Sequence, residues 1–295
     1  MDDIHQRIGA LVCRDRNTSK VDLGHALLVG GARGMTGAIT ISGKACLRTG
    51  AGLVTVGVPE CCWQVVANGD PHYMTWLFAY DESGKLLKKA SGLILNENAR
   101  FNCLALGPGL GRSDATSEVV SELYQKWNGP MVVDADALFA LSTIKNWINL
   151  PTCGPRLMTP HCIEWERLCG IRANDREQQE QAVTQFTRTA KERGQELIVV
   201  LKGPGTFVSD GHLTTRNTTG NPSMAVGGSG DCLTGIIAAM ICQGLPVIEA
   251  ARCGVYLHGL AGDLAHAELR SPSTLAMDLI NYLPNAFRLL ANPVP

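Results

Sequence analysis

A glycine-rich loop that carries a single acid precedes an apolar helix in the last third of the chain. The loop reads Gly227-Gly-Ser-Gly-Asp231, and small and apolar residues follow it up to Met240. Glycines let the backbone turn its N–H groups towards a ligand, and the first N–H groups of the following helix point at the same place. Such a place binds phosphate. Asp231 is therefore a candidate general base, with an N-terminal helix cap as the alternative.

Five more segments follow other predicted strands, four of which carry glycine or acid and one of which carries a histidine. They are residues 30–38, 107–111, 134–138, 159–161 and 202–206. Because the carboxyl ends of parallel strands meet at one edge of a sheet, these segments should converge with the Asp231 loop. The chain contains neither the P-loop spacing nor Gly-x-Gly-x-x-Gly in the first of these segments, so both of those nucleotide folds are unsupported. The convergence predicts a nucleotide site of another kind.

The elements that must position these segments alternate between strand and helix. Continuous apolar runs predict buried parallel strands at residues 26–29, 53–58, 103–106, 131–133, 156–158 and 197–201. Helices are predicted near residues 37–49, 114–127, 163–170, 176–193, 231–243, 247–266 and 274–290. An antiparallel hairpin at residues 206–209 and 212–216 should lie at one edge. This alternation predicts a mostly parallel, doubly wound α/β sheet with helices on both faces.

Four residues at the strand ends each have two interpretations. Lys202 ends an apolar strand, where its ammonium would either reach a phosphate or be solvated. His161 would contact a polar ligand or help to open the next helix. Asp134 and Asp136 would hold Mg²⁺ through water, or cap a helix beginning at Ala137.

Composition excludes several classes of protein. The chain has 295 residues, 45% of them hydrophobic and 18% charged, with a net charge of −1, so it offers no basic field for nucleic acid. The polar N-terminus is unlike a secretory signal, and no apolar stretch is long enough to cross a membrane. Eleven cysteines without metal-site spacing favour a reducing cytoplasm. We expect one domain over residues 1–295.

The ordered motifs give the chain a family resemblance over about residues 20–290. They are Gly-Gly-x-x-Gly-x-x-Gly-Ala at 30–38, Leu-Arg-Thr-Gly-Ala-Gly-Leu-Val at 47–54, Gly-Pro-Gly-Leu-Gly at 107–111, Asp-Ala-Asp-Ala-Leu at 134–138, Thr-Pro-His at 159–161, Lys-Gly-x-Gly-Thr at 202–206 and Gly-Gly-Ser-Gly-Asp at 227–231. In this order they resemble the ADP/ATP-dependent NAD(P)H-hydrate dehydratases, a branch of the ribokinase-like superfamily. The resemblance implies a ribokinase-like fold and a hydro-lyase that restores hydrated NADH or NADPH (the S epimer) while consuming ADP or ATP.

The resemblance also implies which residues bind each substrate. The hydrate-binding positions map to Ala38, a glycine of the 109–111 loop (Gly109 or Gly111), His161 and Asp231, with Asp231 as the catalytic base. The nucleotide-binding positions map to Lys202, Gly203, Pro204, Gly205, Thr206 and Gly230, and the N–H groups of residues 228–230, which include Gly228 and Ser229, would stabilise the transferred phosphoryl group. Mg²⁺ is the implied cofactor.

Two departures from the family pattern touch loops beside this predicted site. Cys162-Ile163 stands where the family usually has Pro-Gly, and Ser223 stands where a glycine is common. The implied partners are other copies of the chain, with a tetramer favoured, and a separate epimerase. The alternative functions are a small-molecule kinase that uses Asp231 on a vitamin precursor or sugar alcohol, and a nucleotide sensor without turnover. The preferences between ADP and ATP and between the two hydrates stay open.

Overall fold

Short runs of valine, leucine, alanine and isoleucine form a nine-stranded sheet through the centre of the protein. The computed structural model describes residues 2–172 and 175–291. The strands are β1 (His25–Val29), β2 (Leu53–Pro59), β3 (Met74–Phe78), β4 (Cys103–Leu106), β5 (Met131–Val133), β6 (Arg156–Met158), β7 (Leu197–Leu201), β8 (Phe207–Ser209) and β9 (Thr214–Arg216). Their order is β3-β2-β1-β4-β5-β6-β7-β8-β9. The first seven are parallel, and β8 and β9 are antiparallel to their neighbours.

Helices connect the strands and cover both faces of the sheet. They are α1 (Asp2–Val12), α2 (Thr36–Thr49), α3 (Trp63–Ala67), α4 (Lys89–Asn96), α5 (Asp114–Lys126), α6 (Ala135–Ser142), α7 (Cys162–Cys169), α8 (Arg176–Glu192), α9 (Ser229–Cys242), α10 (Val247–Leu269) and α11 (Ala276–Ala291). Single 3₁₀ turns occur at Glu60–Cys62, Asn98–Arg100, Trp147–Asn149 and Pro222–Met224. Among the described residues, no helix is long and apolar enough to cross a membrane.

Two hydrophobic cores lie on opposite faces of the sheet. Successive side chains of a strand point to opposite faces, so Leu28 packs into one core and Leu27 into the other. The first core takes residues from α1, α2, α3, α9, α10 and α11, and the second takes residues from α4 to α8. Burial on both faces explains why the parallel strands read as continuous apolar runs.

The chain reverses its direction of winding next to β1. It passes from β1 outwards to β2 and β3, and then returns to place β4 on the other side of β1. The loops after β1 and β4 therefore leave in different directions, which opens a crevice at the carboxyl end of the sheet.

The structure confirms the six predicted parallel strands, the edge hairpin and the seven predicted helices, with small changes at their ends. Four elements go beyond the sequence prediction: the edge strand β3 and the helices α1, α3 and α4. The helix expected to begin at Ala137 begins at Ala135.

Candidate functional site

The crevice at the carboxyl end of β1 and β4 is lined by two loops that hydrogen-bond to each other. The N–H of Gly31 donates to the Pro108 carbonyl at 3.0 Å, and that of Ala32 donates to the Gly109 carbonyl at 2.7 Å. Ala38 lies in the first turn of α2, directly after the first loop. The predicted hydrate-binding positions at Ala38, Gly109 and Gly111 therefore lie on neighbouring segments of the crevice wall.

The Asp231 carboxylate lies within the first turn of α9. The helix begins at Ser229, and its N-cap is Gly228, whose φ of +89° is in the left-handed region that favours glycine. Asp231 is the third helical residue, so the alternative of an Asp231 cap is wrong. Its carboxylate has no hydrogen-bond partner among the residues that the structure describes, and it remains available to a substrate.

The surroundings of Asp231 suit a general base. Burial raises the pKa of the Asp231 carboxyl to about 6, and repulsion from the Asp134 carboxylate adds to the rise, while the Lys202 ammonium opposes it. A carboxyl with this pKa is mostly ionised at pH 7, yet it is a much stronger base than an ordinary aspartate. The arrangement can therefore accept a proton from a bound hydroxyl.

A buried ion pair lies next to this acid. The Lys202 Nζ is 2.8 Å from Asp134 Oδ1, and the Thr234 hydroxyl donates to Asp134 Oδ2 at 2.8 Å. The side chain of Asp134 is 2% exposed and that of Lys202 is 20% exposed. Burial alone lowers the pKa of Lys202, but the carboxylates of Asp134 and Glu164 outweigh it and the pKa is raised. The alternative of a solvated Lys202 is therefore wrong; its contact with a phosphate stays a prediction.

The two candidate metal ligands already have protein partners on both carboxylate oxygens. Asp134 is in the N-cap position of α6, but its side chain makes no capping bond and pairs with Lys202 and Thr234 instead. Asp136 accepts the N–H of Gly111 at 3.0 Å and the Nε–H of Arg112 at 2.9 Å. Among the described residues, no group of three or more acids, histidines or cysteines could hold a metal. Each carboxylate oxygen of Asp134 and Asp136 thus accepts a protein donor, and binding of magnesium by these residues through water stays a prediction. Asp136 also fixes the Gly109–Gly111 turn.

His161 opens helix α7, which was one of its two interpretations. Its Nδ1 accepts the N–H groups of Ile163 and Glu164, and Glu164 Oε2 in turn accepts the N–H of His161 at 2.8 Å. This reciprocal capping box engages Nδ1, and the other ring nitrogen, Nε2, lies 3.5 Å from Glu164 Oε1. Glu164 Oε2 also lies 3.8 Å from Lys202 Nζ, so the capping box and the ion pair touch. Contact between His161 and a substrate stays a prediction.

The predicted nucleotide-binding segments are adjacent. A Cβ on Gly230 would lie 3.3 Å from Lys202 Nζ, so the loop at residues 202–206 borders the first turn of α9. Thr206 closes its own loop by donating to the Gly203 carbonyl at 3.0 Å. Arg176 donates to the Leu201 carbonyl at 2.9 Å and the Lys202 carbonyl at 3.3 Å, which fixes the base of this loop.

Several residues near Asp231 lie outside the sequence motifs. Thr234 could have been found, because it follows Asp231 by three residues and so lies on the same face of α9. Ser42 and His258 could not, since they come from distant helices. The Ser42 hydroxyl shares its proton between the carbonyls of Ala38, at 3.1 Å, and Asp231, at 2.8 Å. It thus joins α2 to α9.

The two departures from the family pattern occupy different environments. Cys162 and Ile163 are exposed in the first turn of α7. Ser223 is buried, and its hydroxyl lies 2.7 Å from that of Thr274. The first departure changes the surface beside His161, whereas the second adds an internal hydrogen bond.

Comparison with known proteins identifies the family. The sequence profile of the NAD(P)H-hydrate dehydratase family matches residues 26–285. The chain belongs to this family. A relative named ADP-dependent (S)-NAD(P)H-hydrate dehydratase, from Bacillus subtilis, is 30% identical over 279 residues, which cover 93% of each chain.

Other NAD(P)H-hydrate dehydratase relatives are longer proteins. A bifunctional NAD(P)H-hydrate repair enzyme from Moorella thermoacetica is 40% identical over 95% of this chain and 52% of its own length. The chain thus spans about half the length of such curated relatives.

Solved structures show the same fold. An ADP/ATP-dependent NAD(P)H-hydrate dehydratase from Bacillus subtilis, co-crystallized with ATP/Mg²⁺, superposes with a TM-score of 0.82 at 27% identity, covering 97% of both chains. A hydroxyethylthiazole kinase from Pyrococcus horikoshii superposes with a TM-score of 0.62 at 14% identity, a likeness that concerns the fold alone. The predicted ribokinase-like architecture is confirmed.

Proposed function

We propose that this chain dehydrates the S epimer of hydrated NADH or NADPH and consumes ADP or ATP in doing so. The observation that carries the proposal is the Asp231 carboxylate, which has a raised pKa and no protein partner among the described residues, beside a glycine-rich helix N-terminus. Membership of the NAD(P)H-hydrate dehydratase family supports the choice of substrate.

Asp231 accepts the proton of the hydrate's hydroxyl group as that oxygen attacks the terminal phosphorus of the nucleotide. The bond from phosphorus to the bridging oxygen breaks, and AMP or ADP leaves with the electron pair. The N–H groups of residues 228–230 donate to the charge that builds up on the transferred phosphoryl group. The phosphorylated hydrate then loses phosphate from carbon and a proton from the neighbouring carbon, which restores the double bond.

The other predicted residues bind and orient the two substrates. Ala38, Gly109, Gly111 and His161 line the hydrate side, and residues 202–206, together with Gly228, Ser229 and Gly230, line the nucleotide side. A magnesium ion, when bound with the nucleotide, supplies positive charge to the phosphates. Asp134 and Asp136 would hold it through water, since their carboxylate oxygens already accept protein donors.

Recovery of the reduced-nicotinamide absorbance band tests this proposal. Hydrated NADH is incubated with the protein, Mg²⁺ and either ADP or ATP, and we expect recovery only when a nucleotide is present. Equal recovery without nucleotide would overturn the phosphorylation step. A stable phosphorylated product without recovery would favour the kinase alternative.

Oxygen labelling makes the test sharper. Hydrate prepared in ¹⁸O-water carries the label in its hydroxyl group, and the proposed route transfers that oxygen to inorganic phosphate. If dehydration proceeded without phosphorylation, the label would appear in water instead. Mass spectrometry of the released phosphate separates the two routes.

We further propose that the chain works in the cytoplasm as a homo-oligomer, with a tetramer favoured, and that an epimerase supplies the S epimer. The bifunctional names of the longer relatives support the link to a second repair activity. Multi-angle light scattering tests the assembly state. Repair of the R epimer only after an epimerase is added tests the partnership.

A further inference from the structure

The segment between β9 and the Asp231 loop packs directly on the backbone of α10. The Thr219 hydroxyl donates to the Tyr256 carbonyl at 2.8 Å, and the Asn217 amide donates to the Val255 carbonyl at 3.3 Å. A Cβ on Gly259 would lie 2.3 Å from Thr219 Oγ1, so the close approach requires glycine there. The segment is therefore held against α10 by hydrogen bonds and by close packing.

A carboxylate of α10 holds the middle of the segment through two hydrogen bonds. Asp263 Oδ2 accepts the N–H of Gly220 at 2.8 Å, and Oδ1 accepts the Asn221 amide at 2.8 Å. The Asn221 Oδ1 in turn accepts the N–H of Ser223 at 3.1 Å. These partners fix the orientation of the Asn221 amide, because the carboxylate requires a donor and the Ser223 N–H requires an acceptor.

The same helix contacts the far end of the loop. His258 Nε2 lies 3.4 Å from the hydroxyl of Ser229, the first residue of α9. Burial lowers the pKa of His258 to about 4, so the ring is neutral at pH 7. Helix α10 thus contacts the segment that leads into the glycine-rich loop, through Asp263, and a residue of the loop itself, through His258.

We propose that Asp263 is a positioning residue that sets the conformation of residues 227–230 for the phosphoryl group. This inference rests on the proposed function, because it assumes that these N–H groups bind the nucleotide phosphates. A Cβ on Gly227 would meet no atom within 4 Å, whereas one on Gly228 would lie 2.8 Å from the Ile41 side chain, so packing contacts the loop at Gly228 but not at its first residue. The hydrogen bonds of Asp263 to Gly220 and Asn221 fix the segment that leads into the loop. This lowers the entropic cost of ordering the loop when the nucleotide binds.

An exchange of donor and acceptor tests the pairing. Asp263→Asn leaves one donor facing another, because a carboxamide cannot accept from both Gly220 and Asn221. The double variant Asn221→Asp/Asp263→Asn restores every pair: the new carboxamide accepts from Gly220 and donates to the new carboxylate, which still accepts from Ser223. Recovery in the double variant would identify a specific coupling between the two positions.

Glu249→Gln is the matched control. Glu249 is a buried carboxylate at the other end of α10, and it pairs with Arg252 at 2.7 Å and with Arg7 at 3.3 Å. Its loss should lower the melting temperature without changing nucleotide affinity. A general weakening of α10 is thereby separated from a change in the loop.

The measurements are the Kd of ADP by calorimetry and the kcat and KM of dehydration. We expect Asp263→Asn to raise the Kd about tenfold, a change equivalent to about 1.4 kcal/mol, and the double variant to return to within about threefold of wild type. A Kd for Asp263→Asn within twofold of wild type, or a double variant no better than the single one, would overturn the inference. If Asp263→Asn does not fold, Asn221→Ala replaces it in the comparison, since it keeps the Gly220 bond.

Calorimetry separates this inference from the proposed function. ADP binding needs no hydrate, so the Kd pattern can hold even if the wild-type protein shows no dehydratase activity. In that case only the proposed function fails. Conversely, an active wild-type enzyme with an unchanged Kd in Asp263→Asn would refute only the positioning role.

Discussion

Asp231→Asn should strongly lower turnover and should also stabilise the protein at alkaline pH. Folding places this carboxyl where its pKa rises from the ordinary 3.8 to about 6, chiefly through burial and repulsion from Asp134. Between these two values the folded chain holds a proton that the unfolded chain has lost. The stability associated with this group is therefore greatest below pH 3.8 and falls as the pH rises through 6.

The size of the effect follows from the same shift. A rise from 3.8 to about 6 penalises the ionised carboxylate by about 3 kcal/mol, since each tenfold step is worth about 1.4 kcal/mol. Two effects reduce this penalty. The side chain is partly accessible to solvent, and the N-terminal turn of a helix favours an anion by about 0.3–1 kcal/mol. We expect Asp231→Asn to raise the free energy of unfolding by about 1–2 kcal/mol at pH 8, and by less at pH 4.

Urea unfolding at pH 4, 6 and 8, together with turnover at saturating substrates, measures both effects. Loss of a positioned general base should lower turnover by about 10²–10⁴-fold, and nucleotide affinity should change little. Asp136→Asn is the control of opposite sign, because Asp136 accepts two hydrogen bonds and its loss should destabilise the fold. Lower stability of Asp231→Asn at pH 8, or turnover above about a tenth of wild type, would refute the reasoning.

Three further substitutions test other parts of the site. Lys202→Met leaves the Asp134 carboxylate buried without a cation and should cost about 3–5 kcal/mol in urea unfolding; adding Asp134→Asn should recover most of the loss, and no recovery would contradict the ion-pair argument. Gly235→Ala should cost about 1–3 kcal/mol, because its Cβ would lie 2.1 Å from the Ser42 carbonyl oxygen, and an unchanged melting temperature would show that α2 and α9 can separate freely. His161→Ala should weaken hydrate binding and cost about 1 kcal/mol of capping energy, whereas His161→Asn should restore the stability but not the hydrate affinity. Hydrate and nucleotide are titrated separately, and a loss of nucleotide affinity with unchanged hydrate affinity would contradict this prediction.

The sequence predicts the buried elements of the fold better than its edges. The six predicted parallel strands lie between two helical layers, so their apolar runs are continuous and easy to recognise. Strand β3 has neighbours on one side only and its first residue, Met74, is 41% exposed, so the pattern Met-Thr-Trp-Leu-Phe lacks that signal. An edge strand is stabilised by its pairing partner, which a single segment does not reveal.

The site shows a similar division between local and distant information. Glycine loops at the strand ends identify the crevice, because the motif and the turn it forms are local. The pairing of Asp134 with Lys202 joins residues 68 positions apart, and it depends on the order of β5, β6 and β7 in the sheet. The start of α9 differs from the predicted residue 231 for a local reason: the helix begins inside the glycine run, at Ser229, two residues before Asp231.

The hydroxyl of Ser42 has a consequence for how the crevice can move. It bridges the carbonyls of Ala38 and Asp231, and the two helices that carry these residues also pack tightly through Gly235. The wall that would face the hydrate and the acid that would deprotonate it therefore belong to one rigid body. Their separation is set when the chain folds, so the distance between the bound hydrate and the acid would not depend on hinge motion between α2 and α9.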